Sequence, residues 1–130
     1  MAVGIARHIF GDRFIAESAG IGASGIGAKP TLEAQVAMKS LYNADISGHR
    51  ARPVSSVDLA DFDYIIAMDF YIYSTLKDGN RIPENKLFGW DIEDPLGQGV
   101  DVYKATALKI QARLERFVDN LPVEGKPSAT

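Results

Sequence analysis

The 130 residues carry a net charge of −3, with 46% hydrophobic and 24% charged residues and no cysteine. That balance describes one folded domain with a core of its own, and it excludes disulfides, thiolate metal sites and cysteine chemistry within the sequence. No Lys/Arg stripe suggests nucleic acid, no apolar run reaches the ~20 residues that span a bilayer, and His8 and His49 make no metal-binding pair, so a cytoplasmic protein without metal or cofactor is expected.

In chain order, MAVGIARHIF opens as a helix that places Val3, Ile5, Ala6, Ile9 and Phe10 on one face and stops at Gly11-Asp12. Phe14 to Ala19 reads as a short strand ending at Gly20. A loop with glycines at 20, 22, 25 and 27 follows; it lacks the strand–GxGxxG–helix context of a dinucleotide site and is read as flexible. Thr31, just after Pro30, is the expected N-cap of a helix running to Asn43. The polar segment from Asp45 to Pro53 carries His49, Arg50 and Arg52, and Ser56 is read as the cap of a short helix at 57–59.

Phe62 to Met68 is the strongest strand, apolar at its centre as befits a parallel strand covered on both faces. Asp69 opens a helix, FYIYSTLK, closed by Asp78-Gly79. Lys86 to Ile92 is a further strand, and Asp94-Pro95 sits beyond its C-terminal end. Val100 to Leu121 forms a long amphipathic helix, with Val102, Ala105, Leu108, Ile110, Leu114, Phe117 and Val118 mostly inward. Residues 1–121 make the domain and 122–130 a polar tail expected to be disordered. Alternating strands and helices give an α/β class with a parallel sheet. Ser18, Asp69 and Asp94 fall at C-terminal strand ends, where such sheets bind ligands.

Taken in order, SAG at 18–20, a Gly and Pro before a helix, ISGHRAR at 46–52, FDYIIAMD at 62–69 and WDIEDPLG at 90–97 resemble the low-molecular-weight protein tyrosine phosphatases, whose fold is shared by arsenate reductases. The resemblance runs from Met1 to about Leu121. It implies a flavodoxin-like three-layer sandwich whose sheet has four parallel strands in the family. It also implies catalysis by a Cys-x5-Arg phosphate loop between the family's first strand and first helix. Met1 aligns about one turn into that helix, so the first strand and loop are expected to be missing here. A shortened chain, a fragment of a working phosphatase and a natural non-catalytic binding relative are the alternatives, with a truncated phosphatase in front of the binding relative; an arsenate reductase-like protein, which would relay electrons through several cysteines, stands behind them.

By the same resemblance Asp94 corresponds to the general acid that protonates the leaving oxygen, and Ser18 and His49 to polar residues that brace the phosphate loop. Leu96 stands where an aromatic residue usually holds the substrate ring. The implied partner is a phosphotyrosine protein or aryl phosphate, with the chain itself inactive. On the residues alone, Asp-Pro is also ordinary turn chemistry, and His49, Arg50 and Arg52 are also ordinary solvated loop residues. In the family the first strand lies between those matching 14–19 and 62–68. Its absence implies self-association through one of these exposed strands, or closure of the two against each other.

Overall fold

The computed structural model describes residues 1–21, 27–80, 82, 83 and 85–121. The first helix, α1 (Ala2–Phe10), buries Ile5 and Ala6 and ends where Gly11 turns to φ 57°, its N–H bonding back to the Arg7 carbonyl. A Cβ at Gly4 would lie 2.9 Å from Met38 Cε and 3.1 Å from Ile46 Cγ2, so a bare Cα lets α1 close on the next helix. That helix, α2 (Leu32–Tyr42), begins as expected with Thr31 Oγ1 accepting from the Ala34 N–H at 3.2 Å. It ends at Asn43 in the left-handed region, φ 52°, a conformation Asn tolerates better than most residues.

Among the described residues the sheet has two strands. β1 (Ile65–Ala67) runs parallel to β2 (Leu87–Gly89), with Ile65 opposite Leu87 and Ala67 opposite Gly89. Between them lies α3 (Phe70–Asn80), opened by Asp69, whose Oδ1 accepts from the Ile72 N–H at 2.8 Å. The helix runs through Asp78 and Gly79 to Asn80, past the stop expected from those two residues. The last helix is α4 (Val100–Asp119).

The strand period of two divides the apolar residues between two faces. Ile66 and Met68 pack on the core of Ile5, Met38, Tyr42, Trp90, Ile92, Ala107, Ile110 and Leu114, which α1, α2 and α4 cover. Ile65 and Ala67 pack with Leu76 and Leu87 under α3. The result is the expected three-layer sandwich. Tyr42 Oη donates to Gln111 Oε1 at 2.7 Å and ties α2 to α4.

Three expectations need correction. Phe14 to Ala19 makes no ladder among the described residues; the one isolated bridge, Gly20 with Pro53, lies just past its end, and 14–19 and 62–68 do not pair with each other. A strand exists only through a partner, and among the described residues none forms a ladder with 14–19. The 54–61 region forms two 3₁₀ turns, Val54–Ser56 and Leu59–Asp61, and the cap of the second is Asp58, not Ser56. Asp58 Oδ1 accepts from the Ala60 N–H, whereas Ser56 Oγ is spent donating to the Pro53 carbonyl. On α4 the buried line is Tyr103, Thr106, Ala107, Ile110 and Leu114, leaving Val102, Ala105 and Leu108 exposed. Tyr103 sets that phase by packing on Ala34 and Ala37 of α2. The expected tail at 122–130 and most of the glycine loop lie outside the described residues.

Candidate functional site

A cavity of about 970 Å³ opens at the N-terminus of α1. Met1 to Gly4, Arg7 and His8 form one wall, and the 43–50 loop a second. Met68 and Asp69, just past β1, and Ile92 to Pro95, past β2, close it from the C-terminal side of the sheet, the side on which open parallel sheets bind ligands.

Ser18, His49 and Asp94, 76 residues apart at the extremes of sequence, all line this cavity. Ser18 Oγ lies 3.3 Å from His49 Nε2. Two contacts hold Ser18 in place: its carbonyl accepts from Arg52 Nε at 3.0 Å, and Arg52 pairs with Glu17 at 3.4 Å. The bridge from Gly20 to the Arg52 carbonyl and Val54 N–H fixes the same stretch. Local turns set His49: Asp45 Oδ1 accepts from the Ser47 N–H at 2.9 Å, and the His49 N–H donates to the Ile46 carbonyl. The Ser47 hydroxyl, and after it the N–H of the same residue, hold the Asp45 carboxyl below its ordinary pKa. Asp94 Oδ1 accepts from the Leu96 N–H at 3.0 Å, the turn chemistry expected of Asp-Pro. Leu96 itself is 67% exposed and lies outside the cavity lining.

The site mixes charges: the Met1 amino group, Arg7 and Arg50 line it together with Asp45, Asp69, Glu93 and Asp94. Burial lowers the pKa of the Met1 amino group. His49 is lowered first by burial and then by the charges of the amino terminus, Arg7, Arg52 and Arg50. Arg7 reaches the Ala16 carbonyl with Nη2, and Arg50 Nη1 bonds the Ser47 and His49 carbonyls. Sequence reasoning missed Arg7 as part of the site. The signal was its position one turn after Val3 and Gly4 on the helix that opens the cavity. No group of His, Cys, Asp and Glu able to hold a metal ion is found among the described residues.

A pH dependence follows. With a folded pKa below its unfolded value, His49 binds fewer protons folded than unfolded, so stability is full above the unfolded pKa and falls as pH drops through the folded one. The melting temperature is expected to fall from about pH 7 to about pH 5, and His49→Gln to flatten part of that slope. Thermal melts of both proteins in matched buffers check this; parallel slopes would contradict it.

The family model for low molecular weight phosphotyrosine protein phosphatase matches residues 1–126. The crystal structure of a low molecular weight protein tyrosine phosphatase from T. tengcongensis is 30% identical, with a TM-score of 0.82 over 92% of this chain and 88% of that one. A protein tyrosine phosphatase from Entamoeba histolytica superposes with a TM-score of 0.76 at 24% identity, over 91% of this chain and 85% of its own, which speaks for the fold alone. The glutaredoxin arsenate reductase of Synechocystis sp. (strain ATCC 27184 / PCC 6803 / Kazusa) is 25% identical over 123 residues, 91% of this chain and 85% of that protein. No helix among the described residues is long and apolar enough to cross a membrane.

Proposed function

The chain belongs to the low molecular weight phosphotyrosine protein phosphatase family, and on that premise we propose that its cavity is the acid-and-brace half of a phosphomonoester site. The observation that carries this reading is the meeting of Ser18, His49 and Asp94 in one cavity at a helix N-terminus. In the proposed roles Asp94 faces the leaving oxygen. Its Oδ1 is held by the Leu96 N–H, which leaves Oδ2 to carry and deliver the proton. Ser18 and His49 are positioning residues that hold the rim of the anion site, and Arg7 and Arg50 favour a dianion there. The exposed Leu96 would lie at the mouth, where a substrate ring enters.

The 130 residues contain no thiol. Covalent phosphoryl transfer needs a nucleophile in line with the leaving oxygen, so we propose that these residues alone are inactive on phosphotyrosine proteins and aryl phosphates. The arsenate reductase likeness supports a second reading, but that chemistry relays electrons through cysteines and meets the same obstacle. The partner in the remaining reading, a non-catalytic relative, is a second polypeptide; self-association through 14–19 or 62–68 belongs to it.

The test is anion affinity. The first N–H groups of α1 have no side-chain cap and can meet an anion, and among the described residues no phosphate-wrapping loop leads into them. Phosphate and vanadate are expected to bind no tighter than millimolar. A dissociation constant of about 10 µM in calorimetry, roughly −7 kcal/mol, would contradict the proposal.

A further inference from the structure

β2 has β1 along one edge and a cavity of about 890 Å³ along the other. Leu87 to Asp91 line that cavity in unbroken sequence, with Phe70 and Tyr73 of α3 on one side and Arg113 of α4 on the other. The main-chain groups sort accordingly. The Lys86 carbonyl and the Trp90 and Ile92 N–H groups bond to Ile65, Ala67 and Met68. In a strand the groups of alternate residues share an edge, so those of Leu87, Gly89 and Asp91 face the cavity. Among the described residues they have no partner.

The two sides of the cavity are unlike. Side chains alternate across a sheet: Leu87 packs with Leu76 under α3, and Trp90 packs in the core that α4 covers. On the α3 side the Tyr73 ring lies against Gly89, where a Cβ would stand 3.0 Å from Tyr73 Cδ2, and Phe70 is 79% exposed. On the α4 side the Arg113 guanidinium sits 5.3 Å from the Trp90 ring centroid. Lys109 and Arg116, one turn before and after it, continue the same face of the helix and are exposed. None of these three cations has an ion-pair partner among the described residues.

We propose that this edge docks an extended segment of another protein that carries acidic residues at every second position. The segment adds a strand to β2, its main-chain groups pairing with those of Leu87, Gly89 and Asp91. Charge selects the occupant. Carboxylates on the α4 side of the added strand meet Arg113, a planar cation stacked on Trp90 and suited to paired bonds with a carboxylate. The residues between them meet Phe70 and Tyr73 on the α3 side and are apolar. Asp91, the acid in the lining, falls on the side of Leu87 and Gly89 by the period of two, away from Arg113. A second copy of this chain is the wrong partner, because pairing β2 with itself sets two rows of Lys109, Arg113 and Arg116 side by side. A nucleic acid has no main-chain groups to match the edge.

A ¹⁵N chemical-shift titration of the full chain with a blocked peptide of alternating glutamate and valine, about nine residues long, tests the proposal. The amides of Leu87, Gly89 and Asp91 are expected to shift together, with half-saturation below about 1 mM at low salt. A pair of central prolines removes N–H groups from the added strand and should abolish binding. Arg113→Glu should weaken the glutamate peptide about tenfold and strengthen a lysine–valine peptide by a similar factor. Lost packing on Trp90 would not give that reversal. Arg116→Glu, at an exposed position, should act in the same direction. Edge amides that stay still at about 2 mM glutamate peptide overturn the proposal. So do shifts indifferent to the prolines or to both charge reversals, and so does a single-stranded oligonucleotide that shifts the same amides at lower concentration.

Discussion

The purified 130-residue chain is expected to turn over no p-nitrophenyl phosphate above the blank between about pH 5 and about pH 7. The family's route would form a bond between the phosphoryl group and a thiolate, and no thiol occurs in this sequence. Deleting the nucleophile of a comparable catalytic unit costs on the order of 10⁶ in kcat. The groups that remain cannot offset it. A general acid supplies roughly 10²–10⁴ and acts only on a leaving group that something else is displacing. Ser18 has a base within 3.3 Å, but its hydroxyl is a weak nucleophile unless activated, and among the described residues no third group holds the His49 ring. Turnover above the blank that Asp94→Asn abolishes would mean that another group in the cavity attacks phosphorus.

The second large effect concerns stability. Ile5 is fully buried where α1 meets the core shared with α2 and α4. Ile5→Ala removes its outer atoms and leaves a void that the flanking helices fill only in part, at a cost of about 2–5 kcal/mol. For a domain of this size the melting midpoint should drop by roughly 10 °C. Leu108→Ala, on the exposed side of α4, should change stability by no more than about 0.5 kcal/mol. Chemical denaturation of both variants checks the pair. An Ile5→Ala loss as small as that of Leu108→Ala would mean that α1 does not pack as described.

Much of this was legible in the sequence. The spacing of Ile5, Ala6 and Ile9 fixed the buried face of α1, and Thr31 marked the start of α2, because both signals are local. The strands at 65–67 and 87–89 lie inside the apolar runs that announced them, though each is shorter because a ladder lasts only as long as both partners stay in register. The Phe14 to Ala19 segment shows the limit. Its exposure alternates along 14–18 as in a strand, but a short apolar run says nothing of what lies beside it. The phase of α4 was read from hydrophobicity alone. Tyr103 and Thr106 are buried while Val102 and Leu108 are not, because the α2 contact at Ala34 and Ala37 decides which side faces in. In the site, motif order brought out Ser18, His49 and Asp94. Arg7 was hidden because a cation on an amphipathic helix looks like any solvated residue until the 43–50 loop is folded against it.

The measurement closest to the central claim is a ¹⁵N chemical-shift titration with inorganic phosphate, which reads location and affinity together. The account predicts shifts confined to the first turn of α1, Ser18, His49 and Arg50, with half-saturation in the millimolar range, about −4 kcal/mol. Shifts centred elsewhere on the molecule, or saturation at tens of micromolar, would contradict it.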